Sequence, residues 1–149
     1  TGISRMSGIV LLLLGTGTIA GIVSNSALKE LLITSVDALG MPGYILAPLS
    51  GILMGGATAS CVAGATVASQ VFGPTILSFG VTPVQAAAMI HTGCCVFDCL
   101  PHGSFFHISA GTLRMSINER MRVLPYESLI GFGMTVVATI IYGFLGFTF

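Results

Sequence analysis

Charge is the scarcest property of this sequence. Five basic and five acidic residues make up 7% of its 149 positions, against roughly 25% in an ordinary soluble domain. From 38 to 97, sixty consecutive residues carry no charge at all. About 20 apolar residues suffice for one helical crossing of a bilayer, so this run holds two or more spans. The formal net charge of zero excludes a nucleic-acid footprint and a polybasic surface arm. No Cys-x-x-Cys pair occurs among Cys61, Cys94, Cys95 and Cys99; a chain embedded in lipid needs no disulfide staples, and these read as buried thiols. A glycine-rich phosphate loop with its lysine and a nucleophile elbow are also missing, which leaves a non-enzymatic reading. The apolar stretch 7–23 follows Arg5 without a small-residue cleavage site and reads as a span, not a signal peptide.

What is abundant is apolar and small: 54% of the chain is hydrophobic and 20 residues are glycine. Membrane helices use small residues for close backbone approach, and Gly17/Gly21 and Gly51/Gly55 have the GxxxG spacing. A first span is expected over about 7–27, followed over 25–39 by an interfacial or re-entrant amphipathic helix with Lys29, Glu30 and Asp37 among its leucines. A second span begins at Tyr44, meets Gly55-Gly-Ala-Thr-Ala-Ser60 and continues from Cys61 to Phe72 before Gly73-Pro74, the pattern of a discontinuous helix. Thr82-Pro-Val-Gln85 is a capping box that starts a helix running to about Cys99, and Leu100-Pro101 with Gly103 predicts unwound chain over 98–103. Ser116-Ile-Asn-Glu119 is a second capping box, opening a short helix that stops at Leu124-Pro125. A last span covers 128–149, with Glu127 in its first turn. Arg114, Arg120 and Arg122 place the preceding connection on the cytoplasmic side.

The densest polar cluster is His91-Thr-Gly-Cys94-Cys95-Val-Phe-Asp98-Cys99-Leu-Pro-His102-Gly-Ser104-Phe-Phe-His107, which holds all three histidines. Cys94, Cys95, Cys99, His91 and His102 are metal-ligand types, but adjacent Cys94 and Cys95 point about 100° apart on a helix, so no metal site is assigned; a membrane metal or redox protein built on 91–107 is the alternative. Ionisable groups at membrane depth are costly and mark function, so Asp98, His102 and His91 are the candidate proton or ion coupling groups. Around Gly56, Thr58 and Ser60, half-helix N–H groups and hydroxyls form the candidate anion cradle, with Ser104 as a further binding residue.

In this order the elements Gly-Gly-Ala-Thr-Ala-Ser, Gly73-Pro-Thr75, Thr-Pro-Val-Gln, His91, Asp98-Cys-Leu-Pro-His102-Gly-Ser and the arginine-bearing capping-box helix resemble the C-terminal part of the gluconate permease family, within the ion transporters built from inverted repeats. Cys94-Cys95 and Ser104–His107 depart from its sugar-acid branch. The resemblance implies proton- or cation-coupled (sodium being the other cation) transport of small organic anions, sugar acids or hydroxy acids, across the bacterial cytoplasmic membrane. Members are about three times this length, so it also implies an N-terminal half that completes the site, with a homo-oligomer as a further expected assembly. No cofactor is expected. The expected fold is an all-α polytopic membrane protein, 1–149 forming one membrane domain of about four transmembrane helices, with one discontinuous helix and a re-entrant or interfacial segment, half of an inverted-repeat transporter.

Overall fold

Lipid offers backbone N–H and C=O groups no partners, so a chain this apolar must satisfy them internally. The computed structural model describes residues 11, 14, 15 and 18–147, with side chains at all of these but Lys29 and Asp37, and their regular structure is all helical. After helical residues 18–24 come α1 (Ala27–Ala38), a 3₁₀ turn (Gly43–Ile45) leading straight into α2 (Leu46–Thr58), α3 (Cys61–Ser78) and α4 (Pro83–Cys94). Then follow α5 (Ser104–Thr112) and α6 (Ile117–Ala138), which winds on as a π-helix over Thr139–Phe144. Among the described residues two helices are long and apolar enough to cross a membrane, Cys61–Ser78 and Ile117–Phe144, and Gly43–Thr58 is a shorter apolar helix. Eight residues of the expected span 7–27, Gly17 among them, lie outside the described residues.

The core is α2, α3 and α4 packed around Leu46, Met54, Val67, Phe72, Ile76 and Met89. Glycine sets its tightness. A methyl group on Gly55 would lie 2.7 Å from Cα of Cys94, and one on Gly64 would lie 2.8 Å from Cα of Gly55. One on Gly51 would strike the carbonyl of Ile90. The Gly51/Gly55 spacing is therefore a helix contact between α2 and α4, whereas Gly21 has open space around it. Outside this core α6 is anchored by Thr135, whose hydroxyl donates to the Thr92 carbonyl at 2.9 Å.

Both predicted capping boxes are present. Gln85 Oε1 accepts from Thr82 N at 2.9 Å and Glu119 Oε2 from Ser116 N at 2.8 Å, while each hydroxyl accepts the N–H three residues on.

Four boundaries differ from the sequence reading. The glycine pair does not itself break α2, which stays helical to Thr58; small residues there serve packing, and the break expected within Gly55–Ser60 falls at its end, at Ala59 and Ser60. Because Gly55 and Gly64 touch across that two-residue connection, α2 and α3 fold back as a helical hairpin, not as one interrupted span. Second, α3 passes through Gly73-Pro74 to Ser78; open space around Gly73 leaves room for the local adjustment proline demands. Third, α4 ends at Cys94, about a turn before Cys99, where Cys95 N and Val96 N take tighter bonds to the carbonyls three residues back. Fourth, α6 does not stop at Leu124-Pro125. The Arg120–Glu127 ion pair, 2.7 Å, bridges the proline on one face and holds both sides in register. The helix over Ser104–Thr112 had no counterpart in the sequence reading.

Gly131 and Gly133 give a matched test of this packing. A methyl on Gly131 would lie 2.8 Å from Cα of Val96, while Gly133 has nothing within 4 Å. Gly131→Ala is expected to cost about 1–3 kcal/mol through overpacking and Gly133→Ala to be neutral. Thermal unfolding of the complete detergent-solubilised protein checks this; equal melting temperatures would contradict it.

Candidate functional site

A hairpin within a membrane leaves helix-end groups at its tip that must find partners. Ala59 takes the left-handed conformation, φ 42°, and is buried, 1% exposed. Ser60 is extended and caps α3, its hydroxyl accepting the Ala63 N–H at 3.3 Å. The Cys61 N–H donates to Oδ1 of Asp98 at 2.7 Å, across 37 residues of sequence. Asp98 lies in the turn chain after α4, so the two irregular segments meet. Gly103 seals the contact: a methyl there would lie 2.8 Å from Cβ of Ala59 and strike its carbonyl.

This turn chain is braced from outside. Gly131 of α6 packs on Val96, and Cys99 Sγ lies 3.4 Å from the Ser128 hydroxyl. Arg120, 2% exposed, ties α6 to α5: Nε donates to Ser109 Oγ at 2.9 Å and the guanidinium faces the rings of Phe105 and Phe106 at 5.6 and 5.3 Å. It therefore acts as a buried clamp within the arginine-rich connection.

The other sequence-predicted residues are distributed around the tip. The Thr58 hydroxyl lies 2.8 Å from the Met54 carbonyl and 3.1 Å from that of Ser60, donating to one at a time and keeping acceptor capacity. Gly56 faces away, against the Phe97 ring, and lines an apolar groove of about 490 Å³ with Leu53 and Leu100. Ser104 starts α5 and is exposed, as is His102 in the turn before it. His91 is exposed on α4, its Nδ1 3.4 Å from Cys61 Sγ.

Two residues escaped sequence reasoning. Glu127, ion-paired with Arg120 at 2.7 Å, lines with Asp98, Cys95 and Phe105 a recess of about 190 Å³. Cys61 lies thirty residues from the Cys/His cluster in sequence, yet it is the thiol that meets His91 and Cys95. The five-residue ligand set considered from sequence is not the set brought together: Cys94 is buried against Gly55 and Cys99 lies beside Ser128. Asp98, three residues after Cys95, offered no signal that a distant helix start would complete the cluster.

Over 146 residues, 98% of the chain, it is 53% identical to a Haemophilus influenzae protein (strain ATCC 51907 / DSM 11121 / KW20 / Rd) described as "Uncharacterized transporter". This chain is homologous to part of a transporter-named protein. It spans 35% of that relative's length. No family model and no solved structure matches the chain. The helical, membrane-type character of the fold accords with this relationship.

The Asp98–Cys61 bond sets up a comparison between two replacements. Asp98→Ala leaves a part-buried N–H unpaired and is expected to cost about 1–3 kcal/mol, whereas Asp98→Asn still offers an acceptor oxygen and costs about 1 kcal/mol or less. Melting temperatures of the two variants in detergent check this; an alanine variant as stable as wild type would contradict it.

Proposed function

We propose that residues 1–149 are one membrane domain of a multi-pass secondary transporter in the cytoplasmic membrane. In this reading it carries small organic anions, sugar acids or hydroxy acids such as gluconate, by symport with protons or another cation such as sodium. An N-terminal half, itself the inverted-repeat partner, completes the site, and the assembly is open to homo-oligomerisation. It is not an enzyme and uses no cofactor. The observation that carries the reading is the hairpin tip, where an acidic side chain at the polar depth of an apolar protein holds the start of a helix.

The chemistry follows from competition. The N-terminus of α3 presents N–H groups and a partial positive charge, which suit a carboxylate. Asp98 already occupies the Cys61 N–H. While Asp98 is ionised, a second carboxylate arriving at the tip meets like-charge repulsion, which a proton on Asp98 removes. Anion and proton then bind together, which is symport. Thr58 and Ser60 supply hydroxyls to the anion and Ser104 extends the polar rim, while Gly56, which faces the apolar groove, takes no part in the cradle. His102 and His91 stand at the exposed edge as relay groups. The Asp98/Glu127 recess is the route for the coupling cation.

Uptake by the complete transporter in membrane vesicles, over a panel of sugar acids and hydroxy acids at two pH values, tests the reading. Asp98→Asn is expected to abolish pH-driven accumulation and to retain counterflow exchange, because it keeps the side chain's shape and removes the titrating group. Normal pH-driven uptake by the Asn variant would exclude Asp98 as the coupling group and move the role to His91 or His102.

A further inference from the structure

The geometry points to a transition-metal site at the hairpin tip, formed by Cys61 Sγ, a His91 ring nitrogen and Cys95 Sγ and suited to a zinc-class divalent ion. Cys61 Sγ lies 3.4 Å from His91 Nδ1 and 3.5 Å from Cys95 Sγ, and the three donor atoms are all within 4.8 Å of one another. Bond lengths of about 2.3 Å to sulfur and about 2.0 Å to nitrogen set tetrahedral ligand edges of roughly 3.8 Å for S···S and 3.5 Å for S···N. The two short separations match those edges to within a few tenths of an ångström. Three protein donors leave the fourth position for water.

Charge chooses the ion. Two thiolates and a neutral imidazole around a divalent ion sum to zero, whereas around a monovalent ion they leave a net negative charge beside the Asp98 carboxylate, which bonds the Cys61 N–H. Without an ion both thiols lie within reach of the His91 carbonyl, at 3.3 Å from Cys95 and 3.7 Å from Cys61. Binding gives up those contacts and releases one proton from each thiol to solvent, with no change of oxidation state. His91 is exposed and both thiols are half-buried, so an ion reaches them without opening the core. Once bound, it staples the start of α3 to the end of α4, on the same tip that Asp98 holds.

The complete transporter, purified in detergent under reducing conditions and stripped with a chelator, is titrated with Co²⁺ and then with Zn²⁺. Expected are one Co²⁺ per chain with thiolate-to-cobalt charge-transfer absorption, two protons released, and displacement by one Zn²⁺. Cys61→Ser and Cys95→Ser should each abolish the charge-transfer band and His91→Gln should weaken binding at least about tenfold, while Cys94→Ser and Cys99→Ser leave it unchanged. Melting curves of the stripped variants report folding independently, and the wild-type spectrum alone decides the case if a serine variant fails to fold. Three results overturn the site: no stoichiometric Co²⁺ or Zn²⁺ binding, a charge-transfer band that survives Cys61→Ser/Cys95→Ser, or peptide mapping that finds Cys61 and Cys95 joined as a disulfide in protein isolated without reductant. Metal binding is read without any transport assay, so its failure and a failure of the symport reading are distinguishable.

Discussion

The hydrogen bond from Cys61 N to Asp98 is the interaction on which the rest of this structure turns, because it pairs the first N–H of α3 with a side chain 37 residues away. An unpaired backbone group in hydrocarbon costs several kcal/mol. Placing a single alanine in the left-handed region, as at Ala59, costs about 1–2 kcal/mol. The bond therefore outweighs the strain, and the hairpin closes at Ala59–Ser60. Everything nearby then has to fit around a contact between two stretches of backbone. Gly103 lies where even a methyl group would overlap Ala59, and α4 ends early enough for Asp98 to reach across.

The same economy of space runs through the core. Gly51, Gly55 and Gly64 let α2, α3 and α4 approach at backbone distance, and Gly131 lets α6 press on the turn chain that carries Asp98. In lipid there is no hydrophobic drive to bring helices together, so close van der Waals contact and short polar bonds such as Thr135 to Thr92 must do so. Arg120 extends the logic to α5: Glu127 accepts from its Nη1 and Ser109 Oγ from its Nε, and two phenylalanine faces cover the guanidinium, whose Nη2 is left without a partner among the described residues.

Much of this was legible in the sequence, for reasons specific to each element. Thr82-Pro-Val-Gln85 and Ser116-Ile-Asn-Glu119 encode their capping bonds within four residues, and both appear as read. Unwinding after Asp98 followed from Leu100-Pro101 and Gly103. Long-range consequences were hidden. Gly55-Gly56 reads as a break from propensity alone, because the partner that makes small residues necessary, Cys94 on α4, lies 39 residues away. Leu124-Pro125 reads as a stop because the Arg120–Glu127 pair that bridges it is visible only once both side chains are placed. Cys61 carried no local mark of its meeting with His91 and Cys95.

Hydrogen exchange at the amide of Cys61 measures the central interaction directly. In the complete protein in detergent, that amide is expected to exchange slowly in wild type and in Asp98→Asn, which keeps an acceptor oxygen, and to exchange much faster in Asp98→Ala, with the interior amides of α3 unaffected. Equal exchange at Cys61 in wild type and the alanine variant would show that Asp98 does not hold the hairpin tip and would contradict the account built on it.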